Sequence, residues 1–287
     1  MRWPFGSGSP GRKRRIELKT RGELQAMRAS GLTLAGILDS VRGSAAAGIT
    51  TGRLDEVARQ ALIDAGATSS FLGYQGFPAA ICTSVNDEVI HGIPGDRVLQ
   101  AGDLLSVDAG CIVDGWHADA AWSIVVPGDP AQMDDDQNTA DQQLIDAAWA
   151  ALWAGVAAAK AGARLGDVSA AIEAAAGDYA PIKDFGGHGI GTAMHMDPYV
   201  ANRGKPGRGQ RLVPGTALAI EPMLAAGRGA VSERSDGWTV VTRDGRRGAH
   251  VEHTIAVLSD GVTVLTARDR GASGLSELGV EPVNLDL

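Results

Sequence analysis

The chain has 287 residues, 44% hydrophobic and 21% charged, enough apolar side chains for one large core or two small ones, which excludes disorder as its general state. Its 34 acidic against 26 basic side chains leave a net charge of −8, which disfavours general binding to DNA or RNA through phosphate neutralisation. The longest weakly polar stretch, Ala147 to Ala159, is shorter than the ~20 apolar residues that a membrane crossing needs.

Arg12, Lys13, Arg14 and Arg15 have no apolar segment behind them, so the N-terminus does not read as a secretory signal, and a cytoplasmic location is expected. Cys82 and Cys111, the two cysteines, lack CxxC spacing and cannot build a disulfide framework or a thiolate zinc site. Gly, Ser and Pro followed by basic residues mark residues 1–19 as a flexible basic tail, set outside the fold. Thr20-Arg21-Gly22-Glu23 has capping-box spacing, and Leu24, Met27, Gly31, Leu34, Leu38 and Val41 continue it as an amphipathic helix. A second helix is predicted from Thr51 to Gly66. Strands are expected from Ala79 to Ile90, from Leu104 to Ile112 and from Ala120 to Val126, the last two as a hairpin turning at Asp114-Gly115. Helices should follow over Asp136–Lys160 and Asp167–Ala176, then strands over Thr216–Ile220, Trp238–Val241, His250–Leu258 and Val262–Leu265. Ala47-Gly48 with Gly52 recurs 114 residues later as Ala161-Gly162 with Gly166, a faint echo that points to two helix-strand halves.

The residues that carry chemistry lie between His91 and His253. Asp108 interrupts the apolar run Leu104-Leu105-Ser106-Val107, and Asp119 sits among Ala118, Ala120, Ala121 and Trp122. Across a hairpin the two carboxylates can share one face, where like charges repel and a bound cation is the usual remedy. His188 stands among four glycines in Gly186-Gly187-His188-Gly189-Ile190-Gly191, and Glu221 and Glu252 interrupt two further apolar strands. Four carboxylates and one imidazole are donors enough for two divalent ions, Co²⁺, Mn²⁺, Fe²⁺ or Zn²⁺, and too many for one structural zinc.

At these residues the sequence resembles the type I methionine aminopeptidases of the pita-bread metallopeptidase fold. The resemblance spans about residues 20 to 267 and rests on Asn86-Asp87-Glu88-Val89-Ile90-His91-Gly92-Ile93-Pro94, the Asp108/Asp119 pair, Gly187-His188-Gly189-Ile190-Gly191, Glu221-Pro222-Met223 and Glu252-His253-Thr254. It implies an α+β fold, two pseudo-symmetric helix-strand halves around a curved antiparallel sheet, with a catalytic domain over 20–267 and a C-terminal tail over 268–287. It also implies removal of the initiator methionine from nascent chains whose second residue is small, by attack of a water activated between two metals. Asp108 would chelate one ion, His188 and Glu221 would hold the other, and Asp119 and Glu252 would bridge them. Glu221 would shuttle a proton, His195 would donate to the developing oxyanion, and His91 would contact the scissile amide nitrogen.

The methionine pocket would be lined by Phe71, Tyr74, Phe77, Cys82, Met194 and Trp238, with His91 and His195 also touching substrate. Phe71 stands where the family commonly has a small residue or Cys, Gln75 where it has His, Phe77 where it has Tyr, Ala118 where it has Gly, and His250 where it has Gln. His117, His250 and His253 read as supporting or structural residues. The basic loop Arg203-Gly204-Lys205-Pro206-Gly207-Arg208 and the Arg12–Arg15 run offer charge for a transient ribosome contact, against the plainer reading of solvated charge. The expected protein is a monomer acting on N-terminal peptides, with no DNA or membrane partner. A proline-specific aminopeptidase or prolidase shares the fold and ligand types, but about 20 residues before the first helix leave no room for its usual N-terminal domain. A metal-free binding module of the same fold would have lost ligands, and all five are present.

Overall fold

The computed structural model describes residues 16–285, so the Arg12–Arg15 run and most of the expected tail lie outside the described residues. In chain order the elements begin with α1 (Arg21–Ser44), α2 (Thr51–Asp64), β1 (Thr68–Ser69), β2 (Ile81–Val85), β3 (Glu88–Ile90), β4 (Leu104–Val113) and β5 (Trp116–Val125). A connection over residues 126–134 leads to α3 (Asp135–Ala158) and α4 (Leu165–Ala175). Then come β6 (Ala180–Pro181), β7 (Gly186–Gly189), β8 (Met196–Ala201), β9 (Ala217–Ile220), β10 (Met223–Ala225), β11 (Val231–Glu233), β12 (Val240–Thr242), β13 (Gly248–His250), β14 (Glu252–Leu258), β15 (Gly261–Val264) and α5 (Ala272–Leu275).

The capping box forms as the sequence predicts: the Glu23 N–H donates to Thr20 Oγ1, and the Thr20 N–H donates to the Glu23 carboxylate at 2.7 Å. A cap of this kind contributes about 1 kcal/mol. Leu24, Met27, Leu34, Ile37, Leu38 and Val41 then bury one stripe of α1, each such side chain worth about 1.5–3 kcal/mol on burial.

The main sheet has nine antiparallel strands, with the path β1-β4-β5-β14-β9-β7-β8 and with β2 and β15 paired to β4 and β14. Strand alternation sorts its side chains. Val107, Ala109, Cys111, Ala118, Ala120 and Trp122 point to one face and pack with the buried stripes of α1 and α2. Leu218, Ile220, Ile255 and Val257 do the same beneath α3 and α4. Both helix pairs therefore cover one face, and the polar residues between these positions are left to the other.

The 114-residue echo is a repeat of structure. Arg21 and Asp135 each open a 24-residue helix, and Thr51 and Leu165 open the second helix of each pair. Gly48 and Gly162 turn the chain between them with φ of 89° and 92°. Their N–H groups donate to Leu99 O and Leu212 O, both at 2.9 Å.

Several boundaries differ from expectation. The segment Ala79–Ile90 splits at Asn86, where φ is 63°, and β2 and β3 enter different sheets. The second strand of the β4–β5 hairpin begins at Trp116 rather than Ala120, because Asp114 and Gly115 alone, with φ of 49° and 82°, complete the turn and Val113 already pairs with Trp116. The strand expected from Trp238 begins at Val240, since Asp236 Oδ1 accepts the N–H groups of both Trp238 and Thr239. The strand expected over His250–Leu258 breaks at Val251 into β13 and β14. Residues 268–285 pack onto the core: Leu275 and Leu285 are buried, and the Val283 N–H donates to Val262 O at 2.9 Å.

Candidate metal centre and substrate pocket

Register places five side chains on the open face of the sheet. Asp108 pairs with Ala121 and Gly110 with Asp119, so the two aspartates lie diagonally across the β4–β5 hairpin. Ala121 also pairs with Glu252 of β14, Thr254 pairs with Ala219 of β9, and Ala219 pairs with His188 of β7. Cross-strand partners share a face, and so do residues two apart, which brings Asp108, Asp119, Glu252 and His188 to one side. Glu221 follows β9 directly, two residues beyond Ala219. The glycines around His188 permit this crowding, since a Cβ at Gly187 would collide with the carbonyl oxygen of Ala219.

The centre is buried and short of hydrogen bonds. His188 Nε2 lies 3.8 Å from Asp119 Oδ2 and 3.6 Å from Glu221 Oε1. Asp108 Oδ1, Asp119 Oδ1 and Glu252 Oε1 are buried oxygens without a hydrogen-bond partner. Burial raises the Asp108 carboxyl to about 7. It pushes Asp119, Glu221 and Glu252 well above the usual carboxylate range, helped in each by neighbouring carboxylates. Burial also lowers His188 to about 4, leaving its imidazole neutral at pH 7. Orphaned carboxylate oxygens around a neutral imidazole suit divalent cations, which relieve the repulsion and accept those lone pairs. Asp119, His188 and Glu252 each present a donor atom within 4.8 Å of the others, as a shared ion needs.

A cavity of about 340 Å³ opens beside this cluster, and all five side chains line it. The expected pocket residues Phe71, Tyr74, Phe77, Cys82, Met194 and Trp238 line it too, as do His91 and His195. Phe77 meets Phe71 edge to face at 6.5 Å and Trp238 at 5.0 Å, which gives one end of the cavity aromatic walls. His91, with φ of 59°, stands between Phe185 and Trp238 at 5.9 and 6.3 Å. His195 packs on His188 with ring centroids 4.4 Å apart. Burial lowers His91 to about 4; burial, with His188, His91 and His117 nearby, lowers His195 to about 2.

Further residues line the cavity: Ile90 and Gly186, which lie within the motifs around His91 and His188, and Lys183, Asp184, Phe185 and Tyr199, which no motif announces. Phe185 beside the glycine-rich run is the nearest thing to a sequence signal. His117 and His253 are held elsewhere, by Ser70 Oγ at 2.9 Å and Thr266 Oγ1 at 2.9 Å. His253 also lies 5.6 and 5.4 Å from the stacked rings of Trp149 and Trp153. The loop at Arg203–Arg208 is pinned, with Arg203 Nε on Glu173 at 2.7 Å and the Gly207 N–H on Asp167 at 2.6 Å.

Clustered carboxylates and a neutral imidazole on one sheet face, opening on a cavity walled in part by Phe71, Phe77 and Trp238, are the makings of a metal-dependent hydrolase. The chain belongs to metallopeptidase family M24, whose model matches residues 25–259. It is 46% identical over 263 residues to methionine aminopeptidase 1 of Mycobacterium tuberculosis, covering 88% of this chain and 96% of the relative. Methionine aminopeptidase 1 of Bacillus subtilis is 41% identical over 253 residues, covering 88% and 99%. The crystal structure of methionine aminopeptidase from Rickettsia prowazekii superposes with a TM-score of 0.83 at 34% identity, covering 88% of this chain and 100% of that one. The fold is the pita-bread fold, as the resemblance implied. Among the described residues no helix is long and apolar enough to cross a membrane.

Proposed function

We propose that this chain is a methionine aminopeptidase that removes the initiator methionine from proteins whose second residue is small. The observation that carries the reading is the contact between centre and pocket: the ligand-type side chains and the aromatic, sulfur-bearing walls belong to one cavity. A flexible thioether fits walls that include Cys82 and Met194, both buried. Asp108, Asp119, His188, Glu221 and Glu252 would hold two divalent ions, with Co²⁺, Mn²⁺, Fe²⁺ and Zn²⁺ all compatible with the donor set. Such ions lower the pKa of water and keep the carboxylates ionised together.

The chain's own residues divide the remaining work. Glu221, whose carboxyl is raised by burial and by Asp108, is suited to take a proton and return it to the leaving amine. His195 is held by Tyr74 where a ring N–H can meet the substrate carbonyl oxygen. His91, braced between Phe185 and Trp238, contacts the scissile amide. The apolar end positions the first side chain and excludes water from it.

The catalytic domain covers 20–267, with 268–287 as a tail folded against it where described, and the protein acts as a monomer in the cytoplasm on emerging N-termini. Lys205 and Arg208, exposed on the pinned loop, are the side chains available for a transient ribosome contact. The deciding experiment is hydrolysis of Met-Ala-Ser by metal-reconstituted protein beside Xaa-Pro peptides. Release of methionine is expected. Cleavage of the Xaa-Pro peptides alone would replace this reading with a proline-specific one.

A further inference from the structure

Two imidazoles face the carboxylate cluster, and they do so alike. Nε2 of His188 stands 3.6 Å from Glu221 Oε1 and 3.8 Å from Asp119 Oδ2. Nε2 of His250 stands 3.7 Å from Glu221 Oε2 and 3.9 Å from Glu252 Oε2. Glu221 thus turns one oxygen to each ring. These separations are too long for hydrogen bonds. They suit donors that share a cation, because ligands bound at ~2.0–2.2 Å to one ion stand roughly 3 to 4 Å apart.

A second observation concerns His250 alone. The residue is 2% exposed, and its Nε2 has no hydrogen-bond partner. A buried ring nitrogen is rarely left so, and a merely supporting imidazole would have closed onto one of the carboxylates. Its main chain is clamped: the His250 N–H donates to Ser123 Oγ at 3.0 Å, and Ser123 Oγ donates back to His250 O at 2.7 Å. His250 and Glu252 are two residues apart across the β13–β14 junction, which turns both side chains the same way. Glu221, His250 and Glu252 present donor atoms within 4.8 Å of one another, the same closeness as Asp119, His188 and Glu252.

We propose that His250 is itself a metal ligand, its Nε2 completing with Glu221 and Glu252 a second coordinating set beside that of Asp119, His188 and Glu252. The inference rests on the metallopeptidase reading, since it requires the centre to bind divalent ions. It gives the centre two nitrogen donors in place of one. An added imidazole favours Co²⁺ and Zn²⁺ over Mn²⁺, because nitrogen ligands raise affinity most for the later metals.

The test compares the unaltered protein with His250→Ala and His250→Gln, each loaded with two equivalents of Zn²⁺. X-ray absorption fine structure counts imidazoles per ion, and competition with a chelator measures affinity. With two rings shared by two ions, the average count should fall from about one to about one half in both variants. One equivalent of Zn²⁺ should bind more than about 100-fold more weakly, beyond the loss expected of an outer-shell partner, and the loss for Mn²⁺ should be smaller. Melting of the metal-free proteins controls for folding, and the glutamine variant, close in shape, serves if alanine unfolds the strand junction. An unchanged imidazole count with affinity preserved in His250→Gln would overturn the proposal and make His250 a hydrogen-bond donor to the carboxylates. Failure of the unaltered protein to bind divalent ions would overturn the metallopeptidase reading along with it.

Discussion

The Tyr74 hydroxyl lies 2.8 Å from Nδ1 of His195, and the two rings stand 5.2 Å apart. When the phenol donates, the imidazole proton must sit on Nε2, the tautomer that can donate from the far side of the ring. Tyr74→Phe keeps the aromatic wall and removes only this constraint. Its kcat should fall about tenfold while KM for Met-Ala-Ser changes little, whereas His195→Ala should lose roughly 10²- to 10³-fold in turnover with metal still bound. A rise in KM alone for Tyr74→Phe would assign the tyrosine to the pocket and not to the histidine.

Chelator-treated protein should lose turnover and regain it with Co²⁺, Mn²⁺ or Fe²⁺. Glu252→Ala should abolish activity under every metal, because this carboxylate is common to both coordinating sets and is buried where no other residue can substitute. Steady-state assays on dialysed and reloaded protein decide the matter, and full activity without metal would contradict it.

Stability of the metal-free protein should fall as pH rises above about 6.5. Asp108, Asp119, Glu221 and Glu252 have raised folded-state pKa values, so their contribution is present below the unfolded value near 4 and is lost as pH climbs through the folded values, about 7 for Asp108 and well above the usual carboxylate range for the rest. His91, His188, His195, His250 and His253 are lowered by burial and act with the opposite sign, losing stability only as pH falls below about 6.5. Above that pH the carboxyls act alone until the buried thiols begin to matter near 8.5. Calorimetry between pH 6.5 and 8.5 should show a falling Tm without metal and a flatter one with it.

Phe71 is buried, edge-on to Phe77, and lies directly over Gly110, the register partner of Asp119. A ring there would narrow the first subsite of the proposed pocket. Norleucine should therefore be accepted nearly as well as methionine and leucine poorly, and Phe71→Cys should raise relative turnover of bulkier first residues without altering the second-position rule. The readout is kcat/KM for Met-, norleucine- and Leu-Ala-Ser on both proteins; an unchanged ratio would place Phe71 outside the pocket's control.

The long amphipathic helices and the β4–β5 hairpin were legible because period and turn chemistry agree there: Leu24 to Val41 keeps a helical stripe, and Asp114-Gly115 fits only a tight turn. The strand at Gly186–Gly189 was not, because its glycines answer to the closeness of β8 and β9, a tertiary demand that looks like a loop in one dimension. Asp108, Asp119, Glu221 and Glu252 stood out as charges in apolar runs. His250 showed in the sequence only as a departure from the family's Gln and read as a supporting residue; the 3.7 Å approach of its Nε2 to Glu221 is what shows its ring turned toward the cluster. The C-terminal residues carry no periodicity, yet Gly274 lies against the Trp153 indole.

The repeat has a consequence for how the molecule holds together. Asp108 and Asp119 come from the first half, while His188, Glu221 and Glu252 come from the second, and the exposed connection around Gly128–Gln132 joins them. The Asp119, His188 and Glu252 set draws on both halves, so a divalent ion held there would act as a rivet across the β5–β14 seam. Cutting the chain in that connection should yield two pieces that reassemble more tightly when metal is supplied, in proportion to its affinity for the joined centre.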